Sequence, residues 1–320
     1  MTGLEHIGLL YGSEDEYVTG CVAFLRQALK AGEPALVAVP GGGGELVRAD
    51  LGHDAERVTF RDMSVVGRNP GRIIPSVLLA FQRAHPGRRV WIIGESMWNG
   101  RSGLEHPACV QDEALVNVVF ADSEAAILCP YDTVGLGAKA IRDAHRTHPV
   151  VRDRNGTFPS PAYADPLATA AACDLPLPAP PAHAAVFRFT GLRALPELRA
   201  FASAGAEAAG LEPRRLADMV IAVNELATNT GEHTDGPGTL ALWAERGTLV
   251  CQVDDGGRLD PLAGRVPPPD HAAHGRGLLV VHELADLVRI HRHERGTSIR
   301  IHFDLPGRRA ACTSRPPVTR

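Results

Sequence analysis

The sequence predicts two successive domains, a three-layer α/β sandwich followed by an α+β two-layer domain, and three observations predict it. The chain has 320 residues with 44% hydrophobic content, enough for two buried cores at about 150 residues per domain. Its first half alternates short apolar runs with amphipathic helical segments. Its middle is dense in proline, in NGTFPSPAYADP and then DLPLPAPPAH, which denies backbone donors and favours an extended chain. The implied division is 4–149 for the first domain, 150–183 for a semi-rigid linker and 184–306 for the second domain. The remainder, 307–320, reads GRRAACTSRPPVTR, has no hydrophobic period and is expected to be a disordered tail.

In the first domain, HIGLLY, ALVAVP, VTFRD, RVWIIGE and AAILCPYD are apolar runs of strand length. Between them, helices are expected over 14–31, 44–51, 73–84 and 107–120. Strand-then-helix alternation of this kind predicts a parallel sheet flanked by helices. The second domain opens with the strand-like HAAVFRF, followed by helices over 195–209 and 213–230. In the latter, Leu216, Met219, Val220, Val223, Leu226 and Ala227 recur at three- and four-residue steps and make one apolar stripe. The stripe is expected to pack on a mixed sheet built from TLALWAE, TLVCQVDD, DLVRIHRH and TSIRIHFDL.

A formal net charge of −4 supplies no basic field for a phosphate backbone, so direct nucleic-acid binding is not expected. Cys21, Cys109, Cys129, Cys173, Cys251 and Cys312 are scattered without a CxxC pair, as reduced and mostly buried thiols are. The start, MTGLEHIGLLYGSEDEY, lacks the basic and apolar segments of an export signal, and no apolar run approaches the ~18 residues of a membrane span. A cytoplasmic protein without membrane contact is expected.

Chemistry concentrates in three segments of the second domain. NELATNTGEHT places Glu225 and Asn229 four residues apart on one helical face. A carboxylate there can take a proton from a hydroxyl and an amide oxygen can hold Mg²⁺; alone, the pair is also what a solvated helix flank carries. QVDDGG ends a strand with an acid and a Gly-Gly turn where backbone can approach a ligand. HGRGLLVVHELAD runs a glycine-spaced turn into an apolar helix, whose first N–H groups suit a phosphate. The last two are each common turns in isolation.

In this order, the three segments resemble the N, G1 and G2 boxes of the GHKL ATPase superfamily, specifically its anti-sigma-factor and bacterial serine-kinase branch. The resemblance implies ATP and Mg²⁺ as ligands, with Glu225 as the general base and Asn229 as the Mg²⁺ ligand. It assigns the adenine to Asp255, with Gly257 beside it, and the phosphate loop to Gly275, Arg276, Gly277 and Leu278. The segment 258–274 stands where these folds carry a mobile lid. The sequence departs from the pattern at Leu259, where many relatives have a glycine, and at Gly231, late in the helix.

The same resemblance implies the partners: an anti-sigma-factor antagonist of the STAS type as phospho-acceptor, a sigma factor to sequester, and a second copy of the chain, because this branch commonly dimerises. The rival reading is a non-catalytic ATP-binding module that sequesters a sigma factor. A histidine kinase would carry its acceptor on a helical hairpin ahead of the ATP domain, which the proline linker cannot form. His282-Glu283-Leu284 lies inside the G2 helix and is expected to be core or surface.

His271, His274, His291 and His293 lack the spacing of a zinc set, and PGGGGEL lacks the Lys-Ser/Thr of a P-loop. WIIGESMWNGRSG, QDEALVNVVFAD and ILCPYDT resemble the MEDS (DcmR-type) sensory domain, a RecA-like fold without a working P-loop. His6, Tyr11, Glu95, Arg101, Glu113, Asn117, Tyr131 and Asp132 stand in its motif-bearing segments. Glu95 and Trp98, at the end of a strand, occupy a usual ligand position in α/β folds.

Overall fold

The computed structural model describes residues 3–268 and 275–307, and the chain divides into two compact units at Cys173–Asp174. The first unit runs β1 (Leu4–Tyr11), α1 (Glu14–Ala31), β2 (Ala35–Val39), α2 (Gly43–Leu51), β3 (Val58–Asp62), α3 (Met63–Val66), α4 (Leu79–Arg83) and β4 (Val90–Gly94). It continues with α5 (His106–Val119), β5 (Ala125–Asp132), α6 (Ala138–Thr147), β6 (Val150–Asp153), β7 (Gly156–Pro159) and α7 (Pro166–Ala172). Seven strands form one sheet in the order β3-β2-β4-β5-β1-β6-β7. Its pairs are parallel, except for the antiparallel edge pair β6–β7.

Both faces of this sheet are covered. Ala35, Val37 and Val39 pack with Tyr17, Phe24 and Leu25 of α1 and Val47 of α2, while the intervening Leu36 and Ala38, which point to the opposite face, are also buried. Strands buried on both sides read as continuous apolar runs, as ALVAV and VWIIG do. This is the expected three-layer sandwich with RecA-like strand order, β1 lying between β5 and β6. Helix α1 starts where Ser13 Oγ accepts the Glu16 N–H, with Glu14, Asp15 and Glu16 in its first turn. The Glu16 carboxylate also accepts the Gly12 N–H at 2.7 Å. Where a P-loop would present bare amides to a phosphate, this turn presents negative charge.

The proline-rich stretch differs from the expected linker. Its first part supplies β6, β7 and α7, and β6 pairs with β1. Proline is tolerated here because Pro159 sits on the edge strand, where a missing donor breaks no further ladder. The second part, 174–184, has no helix or strand but is held on the second unit. Asp174 accepts from His291 Nδ1 at 2.8 Å, from the Arg292 N–H at 3.1 Å and from Arg292 Nη1 at 3.1 Å. Pro178 O accepts from Arg300, and Ala184 packs on Ala241, Trp243 and Val250.

The second unit contains β8 (Ala185–Phe189), α8 (Leu195–Ala208), α9 (Pro213–His233), β9 (Gly238–Glu245), β10 (Thr248–Asp255), α10 (Gly277–Leu284), β11 (Leu287–His293) and β12 (Gly296–Asp304). The sheet order is β11-β12-β10-β9-β8. Every pair is antiparallel, which corrects the expected mixed sheet: consecutive strands are joined by hairpins or by helices that return the chain in the opposite direction. One face carries Leu240, Leu242, Leu249, Cys251, Val253, Ile301 and Phe303 against Leu198 and Ala202 of α8, the predicted stripe of α9, and Val281 of α10. The other carries Gln252 and Arg300, joined by a 2.8 Å hydrogen bond. His271, His274 and nearly all of the expected tail lie outside the described residues. No helix among the described residues is long and apolar enough to cross a membrane.

Asp174 gathers donors from two residues of β11 while its side chain is only 11% exposed. Asp174→Ala is therefore expected to destabilise the second unit by about 1–3 kcal/mol, the cost of leaving partly buried donors without their acceptor. Urea unfolding followed by Trp243 fluorescence measures it.

Candidate functional site

The second unit holds a cavity of about 500 Å³ lined from α9, the end of β10, the segment after it and the start of α10. This size falls within the ~300–1,000 Å³ typical of small-molecule sites. Glu225, Asn229, Asp255, Gly257, Gly275, Arg276, Gly277 and Leu278 all line it. The three sequence segments, dispersed along the chain, are thus brought to one place.

Helix α9 fixes the first pair. Met219, Ala222, Val223, Leu226, Ala227 and Thr230 are buried against the sheet, which leaves Glu225 and Asn229 half-buried at the border of that face. The first residue of α10 then meets them. A Cβ added to Gly277 would lie 3.0 Å from Glu225 Oε2 and 3.3 Å from Asn229 Oδ1. A glycine lets the start of α10 come this close to the acid and the amide without displacing either side chain. Anions favour such a helix end, and the half-exposed carboxylate and amide beside it suit a hydrated metal.

Asp255 is oriented by two donors. Thr230 Oγ1 donates to its Oδ2 at 2.6 Å and the Gly257 N–H donates to its Oδ1 at 2.8 Å. Each carboxylate oxygen has two acceptor sites, so capacity remains for a ligand amino group. Thr297 Oγ1 on β12 donates to Gly257 O at 2.8 Å and fixes the turn from the other side. Gly296 is required beside it: a Cβ there would fall 1.8 Å from Asp255 O. Thr230, Thr297 and Gly296 were not identified in the sequence. The available signal was Thr230 itself, a hydroxyl on the otherwise apolar buried stripe of α9.

The segment after Gly257 differs from the expected lid. Up to residue 268, it is tied down: Leu259 and Ala263 pack on the core, and Arg292 donates to Leu259 O at 3.1 Å. The leucine that departs from the family pattern is therefore an apolar wall of the cavity. Residues 269–274 lie outside the described part. The other departure, Gly231, lies where Leu192 Cδ2 would be 2.8 Å from an added Cβ, so it lets the turn before α8 pack on α9.

His282 is 1% exposed, with its ring against Gly264. Burial first, and the charge of Arg265 second, push its pKa well below 6.5, so the ring is neutral core. His291 is engaged by Asp174. In the first unit, Arg101 and Asp132 serve the backbone. Arg101 donates to Ser96 O at 3.1 Å and Gly67 O at 2.7 Å and stacks on Trp98, while Asp132 Oδ1 accepts the Val134 and Gly135 amides at 2.9 Å. Glu95 and Tyr11 are buried at the same sheet end. His6, Glu113, Asn117 and Tyr131 instead sit deeper, in or beside the core.

An α9 acid–amide pair, an oriented carboxylate on β10 and a helix N-terminus surround one cavity, the arrangement that the GHKL resemblance implies. Comparison with family models agrees. Residues 5–149 match the model described as "MEthanogen/methylotroph, DcmR Sensory domain" (MEDS), and residues 190–303 match that of the "Histidine kinase-like ATPase domain". The chain is a MEDS domain fused to a histidine-kinase-like ATPase domain. No curated protein matches it.

Two outcomes follow. Thr230→Val removes one orienting donor from Asp255 and is expected to weaken ATP binding about 5–10-fold, near the 1–1.5 kcal/mol of one hydrogen bond, as measured by titration calorimetry. His282, depressed below 6.5 when folded, must take up a proton on unfolding at acid pH. Its contribution is complete above pH 6.5 and is lost as pH falls towards the folded pKa, at up to about 1.4 kcal/mol per pH unit. Unfolding curves between pH 5 and 8 should therefore slope less for His282→Gln than for the unaltered protein.

Proposed function

We propose that the second domain is an ATP-dependent protein serine/threonine kinase of a partner-switching system, under the control of the MEDS domain. Its substrate is a seryl or threonyl hydroxyl on an anti-sigma-factor antagonist of the STAS type, and it also sequesters the sigma factor itself. The observation that carries this reading is the convergence of Glu225, Asn229, Asp255 and the α10 N-terminus on one cavity. A sensory domain joined to a kinase-like ATPase makes a regulatory protein. The resemblance of the three boxes to the serine-kinase branch, together with the core position of His282, favours a hydroxyl on another protein as the acceptor.

ATP would lie with its adenine amino group on Asp255 and its phosphates at the amides of Gly275 to Leu278, supplying the γ-phosphoryl group. Asn229 Oδ1 would hold Mg²⁺ through its hard oxygen. Glu225 takes the proton of the incoming hydroxyl as its oxygen bonds to phosphorus and the bond to ADP breaks. Phosphoryl transfer depends mainly on positioning and electrostatics, so two residues fixed on one rigid helix suffice. The exposed Arg276 and Arg258 at the cavity add positive charge for the phosphates.

With radiolabelled ATP and a cognate antagonist, Glu225→Gln is expected to reduce transfer by about 10²–10⁴-fold, the range of general-base contributions, while ATP binding persists. Equal transfer by both proteins contradicts the role of Glu225. Nucleotide binding by the unaltered protein without transfer supports the rival, a sigma-factor-sequestering module.

A further inference from the structure

Four side chains from four separate elements of the first unit converge in its interior: His6 on β1, Glu113 on α5, Cys129 on β5 and His148 just after α6. All four are buried, and one potential ligand atom from each lies within 4.8 Å of every other. The nearest separations are 3.4 Å from His6 Nε2 to Glu113 Oε2, 3.3 Å from His148 Nε2 to the same oxygen, and 3.4 Å from Cys129 Sγ to His6 Nε2. Donors bound at ~2.0–2.3 Å around a tetrahedral ion stand about 3.3–3.6 Å apart. Three of the six separations match such a shell, and all six lie within 4.8 Å.

Hydrogen bonding on the far side of each ring supports this. His6 Nδ1 meets Asn117 Oδ1 at 3.0 Å, and the Asn117 amide nitrogen in turn donates to the carbonyls of Ala114 and Thr147, which leaves its oxygen as the acceptor. His148 Nδ1 meets Ala144 O at 2.8 Å. Both rings therefore carry a proton on Nδ1 and turn Nε2 inward, the orientation in which metal-ligating histidines are held by outer partners. Facing them, the buried Glu113 carboxylate turns Oε2 to both Nε2 atoms at 3.3–3.4 Å, while its Oε1 is buried without a hydrogen-bond partner. A buried carboxylate set against imidazole nitrogens and a thiol is stable only when a cation, a proton on one ring or a metal ion, lies among them.

We propose that His6, Glu113, Cys129 and His148 form a binding site for a divalent transition-metal ion of the zinc class in the core of the MEDS domain. Two imidazoles, one thiolate and one carboxylate are borderline-soft donors suited to Zn²⁺ and Co²⁺, and unsuited to Mg²⁺ or Ca²⁺. Binding displaces the thiol proton of Cys129 to solvent. The ion would join β1, β5, α5 and the end of α6 at one point, and Asn117 acts as a positioning residue for His6. This site is separate from the cavity of the ATPase domain and stands or falls independently of the kinase reading.

The test uses the full chain without nucleotide, isolated from zinc-supplemented cells and also unfolded and refolded with Co²⁺. Elemental analysis should give one zinc per chain, and the cobalt form should show a sulfur-to-cobalt charge-transfer band. Cys129→Ser should lose the band, and Asn117→Ala should weaken zinc binding by about 10–100-fold, as loss of an outer partner does. Asn117→Ala leaves all four ligands in place, so it remains informative where Cys129→Ser does not fold. Refolded protein of native circular dichroism with neither metal nor band overturns the proposal, and so does a band that survives Cys129→Ser.

Discussion

The contact on which the second domain depends is the approach of the α10 backbone at Gly277 to Glu225 and Asn229 on α9. It decides which border of α9 is chemical, because the face beside it is committed to the sheet through Met219, Val223 and Leu226. It also points the free amides of α10 at the cavity. A side chain at Gly277 would crowd the Glu225 carboxylate and the Asn229 amide, 3.0 and 3.3 Å from an added Cβ, and force both side chains to shift. Asp255 is fixed to the same framework through Thr230, one residue beyond Asn229, so a single helix sets the geometry of both ends of the site.

The two domains differ in how their sheets meet solvent, and this governs where each can place polar groups. The sheet of the first domain is covered on both faces, so polar groups within it must satisfy one another. His6, Glu113, Cys129 and His148 are such a group, held by outer hydrogen bonds and facing one another at 3.3–3.4 Å. The sheet of the second domain is apolar towards its helices and polar on its other face, where Gln252, Arg300 and the strap 174–184 meet. Its ligand cavity opens between helices and sheet rather than within the sheet, which permits a charged ligand to enter without exposing the core.

Much of this was legible in the sequence, for physical reasons specific to each element. Strands buried on both faces are continuous apolar runs, so β2, β4 and β5 declare themselves; the α9 stripe is unambiguous because 3.6-residue periodicity persists over about three turns. Two of the three ligand segments were legible because each combines a polar residue with glycine at a turn, and the first because an acid and an amide stand four residues apart on one helix. The strands β6 and β7 were hidden because their proline content is compatible with an edge hairpin as well as a linker. Strand direction in the second sheet depends on partners far apart in sequence, such as β10 with β12, and single-strand patterning does not encode it. Thr230 and Thr297 were missed because a hydroxyl that orients a neighbour has no sequence signature. His148 and Cys129 were missed because the fold, and no local spacing, brings them to His6 and Glu113.

The most direct test of the central claim is a crystal structure with a non-hydrolysable ATP analogue and Mg²⁺. The account predicts the adenine amino group on Asp255, the metal coordinated by Asn229 Oδ1, and the γ-phosphate between Glu225 and the amides at the start of α10. A nucleotide bound elsewhere, or bound here with its metal away from Asn229 and its γ-phosphate away from Glu225, would contradict it.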